Sequence, residues 1–551
     1  MSKKIICLIL ALVLMCGVLL TACKKDDDEK INAEADTEES SRLAMTISLW
    51  MPTDEDTTDE AIELVSAAFN KITQSKFNTA VELHLIPRGE YQEAIDARID
   101  EVILARETKE AEEEAERARQ KQLKAQGIKE DPEAGKNEEN EEDIGAYPEV
   151  AEDQLDIFMV SGYENYKRYI DEDLISQLNG ELSSNSKLLK SYIYPHFFDI
   201  ADEFGIYGIP NNHPVGKYQY LLINKELVDK YDYDPDNFTT LIRCKNFLID
   251  MGEQHLEGLV PLLGPVDPSG ITFWNADEDG KQWSVIGSQY GDDVAFNKEV
   301  LPENVIGNGA YTNLYGMLKQ LDELGYVGDG ELEDGEYFAV GVVEGDGFDS
   351  TKWEDEYYVR IHANPVCTED DVFSAMFCVS TYTKNLSRAM EIVTCLNTTK
   401  ELRTVLQYGV EGVHWEYEDD TEETIRIISD DYKMELLETG NVYMTYPGEG
   451  MPMSYWEYSK QQNLDSVSSP YIKFPSYIND ENRAVMERVA EYSKEIKARI
   501  DECPYEEYTA FIKDLKKEIA NNPDVKKMLD PENENSIYKI YFEWHSDLYP
   551  F

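Results

Sequence analysis

Short runs that read as strands alternate with longer runs of helical period, and this alternation is the feature that most limits what the chain can fold into. MTISLW (45–50) has a strand pattern, and AIELVSAAFNKI (61–72) sets Ile62, Val65, Ala68 and Phe69 on one helical face. AVELHLI (80–86) is a second strand, EYQEAIDARIDEVI (90–103) a second helix, and LDIFMV (155–160) a buried strand. Strands separated by helices in this way predict a parallel α/β layer. The stretch YGIPNN (207–212) carries Gly208 and Pro210 between two apolar runs, which predicts a passage from one structural unit to another. A second α/β set follows: helix TTLIRCKNFLIDMGEQ, strand LVPLLG, helix YTNLYGMLKQLDELG and strand YFAVGVVEG. MFCVST then reads as a strand, LSRAMEIVTCLNTTKELRTVLQYGV as helix, and the last hundred residues as long amphipathic helices.

One segment interrupts the first unit. ARETKEAEEEAERARQKQLKAQ (105–126) prolongs the preceding helix with hardly any large apolar residue, and Glu113 with Arg117 forms a favourable i,i+4 pair. It predicts a solvent-facing helical arm, followed by an acidic loop over 127–150. Of the residues a coiled-coil seam would need, only Leu123 is a large one.

The N-terminus carries an address. Lys3 and Lys4 precede an uncharged apolar run over 5–20, shorter than the roughly 20 residues a membrane-spanning helix needs, and with the flanks of a secretory signal. Leu20-Thr21-Ala22-Cys23 looks like a bacterial lipobox, in which Cys23 is lipidated and becomes the mature N-terminus. Firm attachment takes two or more acyl chains, since one binds only marginally. Residues 24–43 are polar and without apolar period, and predict a disordered tether. Removing residues 1–22 takes away two lysines and no acid, so the mature chain is more negative than the −60 of the whole. Such a surface repels phosphate backbones and argues against nucleic acid as a partner. Beyond the signal and Cys23, Cys244, Cys367, Cys378, Cys395 and Cys503 are odd in number and scattered, which is no disulfide framework.

Catalytic signatures are missing: there is no G-x-S-x-G, H-E-x-x-H, C-x-x-C or phosphate-binding G-x-x-x-x-G-K-[ST], and the histidines are dispersed. NADEDG (275–280) starts like a calcium loop, but the twelfth position is Ile286 where a bidentate Glu belongs, so an acidic turn is the better reading. No metal and no cofactor is expected. With 111 acidic residues, carboxylate pairs for glycoside hydrolysis carry no signal.

Together these stretches resemble a known family. ISLWMP, LDIFMVSGYENY, YGIPNN…YLLINKELVDKY and SRAMEIVTCLNTTKELRTVLQYGVEGVHWEY occur in the order found in extracellular solute-binding proteins of bacterial ABC importers. The branch is the one that binds sugars and oligosaccharides, and TYPGEGMPMSYWEYSKQQN is similar to its large clostridial-type lipoproteins. The resemblance implies an α/β, two-lobe fold with a hinge and a ligand held between the lobes, here with an inserted charged arm and C-terminal helices. Its expected division is a signal at 1–22, anchor and tether at 23–43, lobe 1 at 44–214 with the insertion 105–150, and lobe 2 at 215–365. A return to lobe 1 at 366–415 follows, then lobe 2 and C-terminal helices at 416–551. The implied partners are a small polar ligand, most readily a carbohydrate, the permease subunits of an ABC transporter, and the membrane through lipidated Cys23. The protein is expected to be a monomer facing outside the cell, and not an enzyme.

In open α/β sheets ligands sit beyond the carboxyl ends of the strands. That places Trp50 and Thr53, Tyr163, and Asn211 with Asn212 as candidate ligand contacts, because sugars stack a CH-rich face on aromatic rings and bond hydroxyls to planar polar groups. Trp274, Trp415 and Trp456 are further candidates, with Trp283 and Trp353 behind them. Each has a bland alternative: tryptophans are commonly packed in cores, and asparagines satisfy turns. Trp544 is assigned to packing. One of Tyr218 and Tyr220 is expected to point inward, and Glu411 and His414 fit capping as well as recognition. Two other classes remain open at this point: a surface-anchored carbohydrate-active enzyme, and a sensor that presents its ligand to a membrane kinase.

Overall fold

The computed structural model describes residues 43–548 apart from 126–146, 203–204, 265, 267–270, 275–281, 290–300, 419, 469–471 and 475–477. The proposed signal, Cys23, the tether up to residue 42, most of the acidic loop and the NADEDG turn lie outside the described residues. Among those described, no helix is long and apolar enough to cross a membrane.

Two separate sheets organise the chain. The first orders its strands Thr79–Pro87, Met45–Thr53, Ile157–Val160, Met376–Val379 and Gly208–Pro210. The first three are parallel, and Met376–Val379 runs antiparallel to both of its neighbours. Ile157–Val160 is buried at all four positions, as expected for a parallel strand covered on both faces. Helix Asp59–Phe77 begins at Thr58, whose hydroxyl accepts from the Ala61 amide, and ends at Asn78 in the left-handed conformation. Its Ala61, Val65, Phe69 and Ile72 enter one continuous core with the sheet, with Tyr91, Ile95, Ile99 and Val102 of the next helix, and with the helices Leu386–Thr398 and Lys400–Tyr408.

The second sheet orders Tyr357–Ala363, Tyr218–Asn224, Tyr337–Gly345 and Leu259–Leu263. Its central strand is buried on both faces with a period of two. Leu221 and Ile223 join a core with Phe247, Leu248 and Met251, while Tyr218, Tyr220 and Leu222 pack with Phe338 on the other side. Both tyrosines are therefore inward, on one face, with rings 5.2 Å apart, rather than one of them. Residues two apart on a strand share a face, so the pair is packed or exposed together.

The chain passes between the sheets at 211–217 and again at 364–375, where Val366–Cys367 pairs in parallel with Val467–Ser468. A third core lies apart from both: Trp274, Val285 and Ile286 pack against helices Asp480–Glu502, Tyr505–Asn521 and Ile537–Leu548. The arm forms as its sequence predicts. Helix Arg88–Ala125 is continuous, its residues 106–122 are exposed, and Arg117 meets Glu113 at 3.1 Å. All five described cysteines are free and buried.

Candidate interlobe site

The carboxyl ends of the first sheet's parallel strands and the crossing segment 211–217 converge on one edge, and a later piece of chain lies across it. We call residues 431–446 the strap. At the end of strand Met45–Thr53, the hydroxyls of Thr53 and Thr57 both donate to the Lys433 carbonyl, at 3.0 and 3.1 Å, and the Thr58 amide donates to the Asp431 carbonyl at 2.9 Å. Farther along, the Asn211 side-chain amide donates to the Leu437 carbonyl at 2.8 Å, and the Val442 amide to the Asn212 carbonyl at 2.9 Å. Arg88, directly after strand Thr79–Pro87, grips Glu438 with a two-pronged ion pair, Nε–Oε1 at 3.1 Å and Nη2–Oε2 at 2.8 Å.

Helix Lys400–Tyr408 holds the strap from below. Gln407 donates to the Met434 carbonyl, Tyr432 donates to the Leu406 carbonyl, and Arg403 donates to the Leu436 carbonyl at 2.7 Å. Arg403 is fully buried, and no carboxylate is paired with it among the described residues; burial pushes its guanidinium down to about 9. Gly440 (φ +109°) lets the strap approach closely, since a Cβ there would sit 2.9 Å from the Leu396 carbonyl oxygen. The strap thus packs on the first lobe: Tyr432 and Met434 are in its core, although residues 416–551 were expected to lie with lobe 2 and the C-terminal helices. Residue spacing alone does not reveal this, because most of the bonds that hold the strap run to its carbonyls.

On the second sheet, the corresponding edge is the loop after strand Tyr337–Gly345. There the Phe348 ring lies 5.7 Å from Tyr455 and 5.4 Å from Tyr458, and the Tyr455 hydroxyl donates to Asp346 at 2.9 Å. Tyr455 and Tyr458 belong to helix Tyr455–Asp465, whose Trp456 faces the strap through Nε1 to the Thr445 carbonyl at 2.8 Å.

The residues singled out from sequence divide sharply. Trp50 lies within its strand, which continues to Thr53, and its ring stacks on His84 of the neighbouring strand with centroids 4.1 Å apart. Thr53, Asn211 and Asn212 are buried and tie the strap to the first lobe. Tyr163 is buried against Phe373. Trp274 belongs to the third core, where its Nε1 donates to Ser288. Trp415 donates to the Gly409 carbonyl and packs on Tyr446, and Trp456 is 3% exposed. His414 accepts from the Val410 amide through Nδ1, which is capping. Thr53, Asn211 and Asn212 bond the strap, as does Trp456 at the Thr445 carbonyl, while Trp50 stays within its strand on His84 and Trp274 lies in the third core. Sequence reading missed Arg88, Glu438, Phe348, Tyr455 and Tyr458. Tyr455 and Tyr458 had a signal, being three apart beside the chosen Trp456 and so on one helical face. Arg88 and Glu438 had none, being 350 residues apart. No three His, Cys, Asp or Glu side chains form a metal-holding group among the described residues.

Two α/β lobes joined by crossing segments, with strand-end loops beside the crossing, define the architecture of a two-lobe solute-binding protein. A solved structure shares that fold. The N-glycan transport solute-binding protein of Streptococcus pneumoniae superposes with a TM-score of 0.53 at 18% identity, over 91% of this chain and 99% of that one. A carbohydrate ABC transporter substrate-binding protein from the same species is 36% identical over 104 residues. The aligned stretch covers 18% of this chain and about a fifth of that relative (21%). No protein-family model matches the chain.

Proposed function

We propose that this chain is the substrate-binding component of an ABC importer: it captures a carbohydrate between its two lobes and hands it to a membrane permease. The observation that carries this reading is the architecture itself, two independently cored sheets linked by crossing segments that end at the same edge as the strand-end loops. Such a build lets a ligand that touches both lobes favour a closed state, provided it contacts that state better. The rims supply suitable chemistry, with Phe348, Tyr455 and Tyr458 for stacking and Asp346, Glu438 and Arg88 for hydroxyls. The likeness to an N-glycan transport protein and to a carbohydrate transporter's substrate-binding protein supports a sugar as the cargo.

In this reading the protein binds without transforming its ligand, and lipidated Cys23 holds it at the outer face of the cell membrane as a monomer. A panel of neutral and acidic oligosaccharides followed by thermal shift tests binding. A ligand at 100 times its dissociation constant should add about 2.7 kcal/mol of stability. Recovery of the bound sugar unchanged is the expected result, and a cleaved product would replace binding with hydrolysis. For the anchor, Cys23→Ser should release the protein or leave it unprocessed, and unchanged membrane fractionation would remove the lipid from the account.

A further inference from the structure

We propose, resting on the sugar-binding reading above, that the lobe 1 surface meeting the ligand is the strap residues Leu437 and Glu438 with Arg88, and that this surface selects neutral over acidic sugars. The strand ends that would ordinarily receive a ligand are already covered. Thr53, Thr57 and Thr58 are spent on Asp431 and Lys433, and the Asn211 amide on Leu437. A ligand reaching this edge meets the strap first. Leu437 is an apolar side chain left 36% exposed there, beside the Arg88–Glu438 pair. The Glu438 side chain is only 13% exposed while that of Arg88 is 41% exposed, so the pair is held by burial on one side and open on the other. Beneath it, Asn211 Oδ1 is buried without a donor among the described residues.

The chemistry of that pair matches adjacent sugar hydroxyls. Each hydroxyl can both donate and accept, the locked carboxylate keeps lone pairs to accept, and the guanidinium has N–H groups beyond the two in its fork. An apolar side chain alongside suits the CH face of the same ring. An anionic sugar finds the opposite. Among the described residues the cations along the strap are already engaged or covered: Arg88 is bonded to Glu438, Lys433 lies 3.7 and 3.8 Å from Asp56 and Asp430, and Arg403 is fully buried, while the charges of Asp54 and Glu435 also act on Arg88. Burial, with a smaller push from Glu435, raises the Glu438 carboxyl above its usual range despite Arg88. A uronate or sialate would add charge to that field without an exposed, unpaired cation among the described residues to meet it.

The test is calorimetry on the purified full chain with maltotriose, cellotriose, xylotriose, mannotriose and trigalacturonate. Expected is binding of at least one neutral trisaccharide. Its affinity should fall at least tenfold in Arg88→Gln and in Glu438→Gln. Trigalacturonate should bind at least tenfold more weakly than that neutral sugar, with the gap narrowing as salt is raised. Because Arg88→Gln can loosen the strap, Leu437→Ser serves as the second variant: it keeps every backbone bond of the strap and should weaken the neutral sugar severalfold with an unchanged unfolding midpoint. Binding of the neutral sugar that is indifferent to all three substitutions overturns the assignment to the strap while leaving sugar capture standing. Equal affinity for trigalacturonate overturns the charge selection. If the parent binds none of the five, the sugar-binding reading itself is overturned and the inference with it.

Discussion

At the scale of single residues, burial decides which side chains are available to a ligand. Trp50 has the aromatic face that a sugar site wants, yet its ring is stacked on His84 and its Nε1 is buried without a partner among the described residues. Trp50→Ala should therefore act on stability, costing about 2 kcal/mol, less than a fully buried aromatic because the ring is only half-buried. Ligand affinity should change by less than about threefold, or roughly 0.6 kcal/mol. Urea unfolding and calorimetry on the same variant separate these effects, and a large affinity loss with unchanged stability would return Trp50 to the site. Asp153 shows the converse, a charged residue whose partners can be named. Lys109 and Lys384 each reach it at 2.9 Å, and these bonds hold its carboxyl down at about 2. A depressed carboxylate contributes stability above its unfolded pKa of about 3.9 and loses it as pH falls through the folded value. Asp153→Asn should then cost up to about 1 kcal/mol at pH 7, the scale of a solvent-screened pair. The difference from the parent should shrink between pH 4 and pH 2, which denaturant unfolding across that range would measure.

Among the elements, helix Arg88–Ala125 is two things in one rod. Its first four turns bury Tyr91, Ile95, Ile99 and Val102 in lobe 1, and the rest stands in solvent. The change comes where large apolar residues stop recurring, and the junction is fastened by Lys109 to Asp153 and by Arg106 over the Tyr382 ring. Replacing residues 113–146 by a short Gly/Ser loop keeps that junction. The variant should fold within about 0.5 kcal/mol of the parent, as surface changes do, and bind sugar equally. A markedly lower unfolding midpoint would show that the arm or the chain beyond it packs on the body. The strap is the opposite kind of element. It has little regular structure, yet bonds to its carbonyls from Thr53, Gln407, Arg403 and Asn211 give it a fixed course across the sheet edge.

For the molecule as a whole, separate cores on either side of the crossing segments allow rigid-body motion, because little must be repacked within a lobe when the lobes rotate. Scattering in solution should show the radius of gyration of the parent fall when a bound sugar saturates it. Unchanged dimensions at saturation would mean that capture proceeds without closure. The third core, built from the C-terminal helices on Trp274, should leave that motion intact, since it is assembled from residues outside both sheets.

The sequence by itself determined the element types and their alternation, because periods of two and of 3.6 are local and survive without knowledge of partners. It determined the arm, whose Glu113–Arg117 pair and lack of apolar residues are also local properties. Only the tertiary structure decided which of the candidate side chains are covered and which are paired. Trp415 and Trp456 read as candidate contacts in the sequence and are 4% and 3% exposed in the fold. Arg88 and Glu438 read as two charges among many and meet across 350 residues. Which aromatic is covered and which charge finds a partner depend on non-local packing, and no pattern within a single stretch of chain records it.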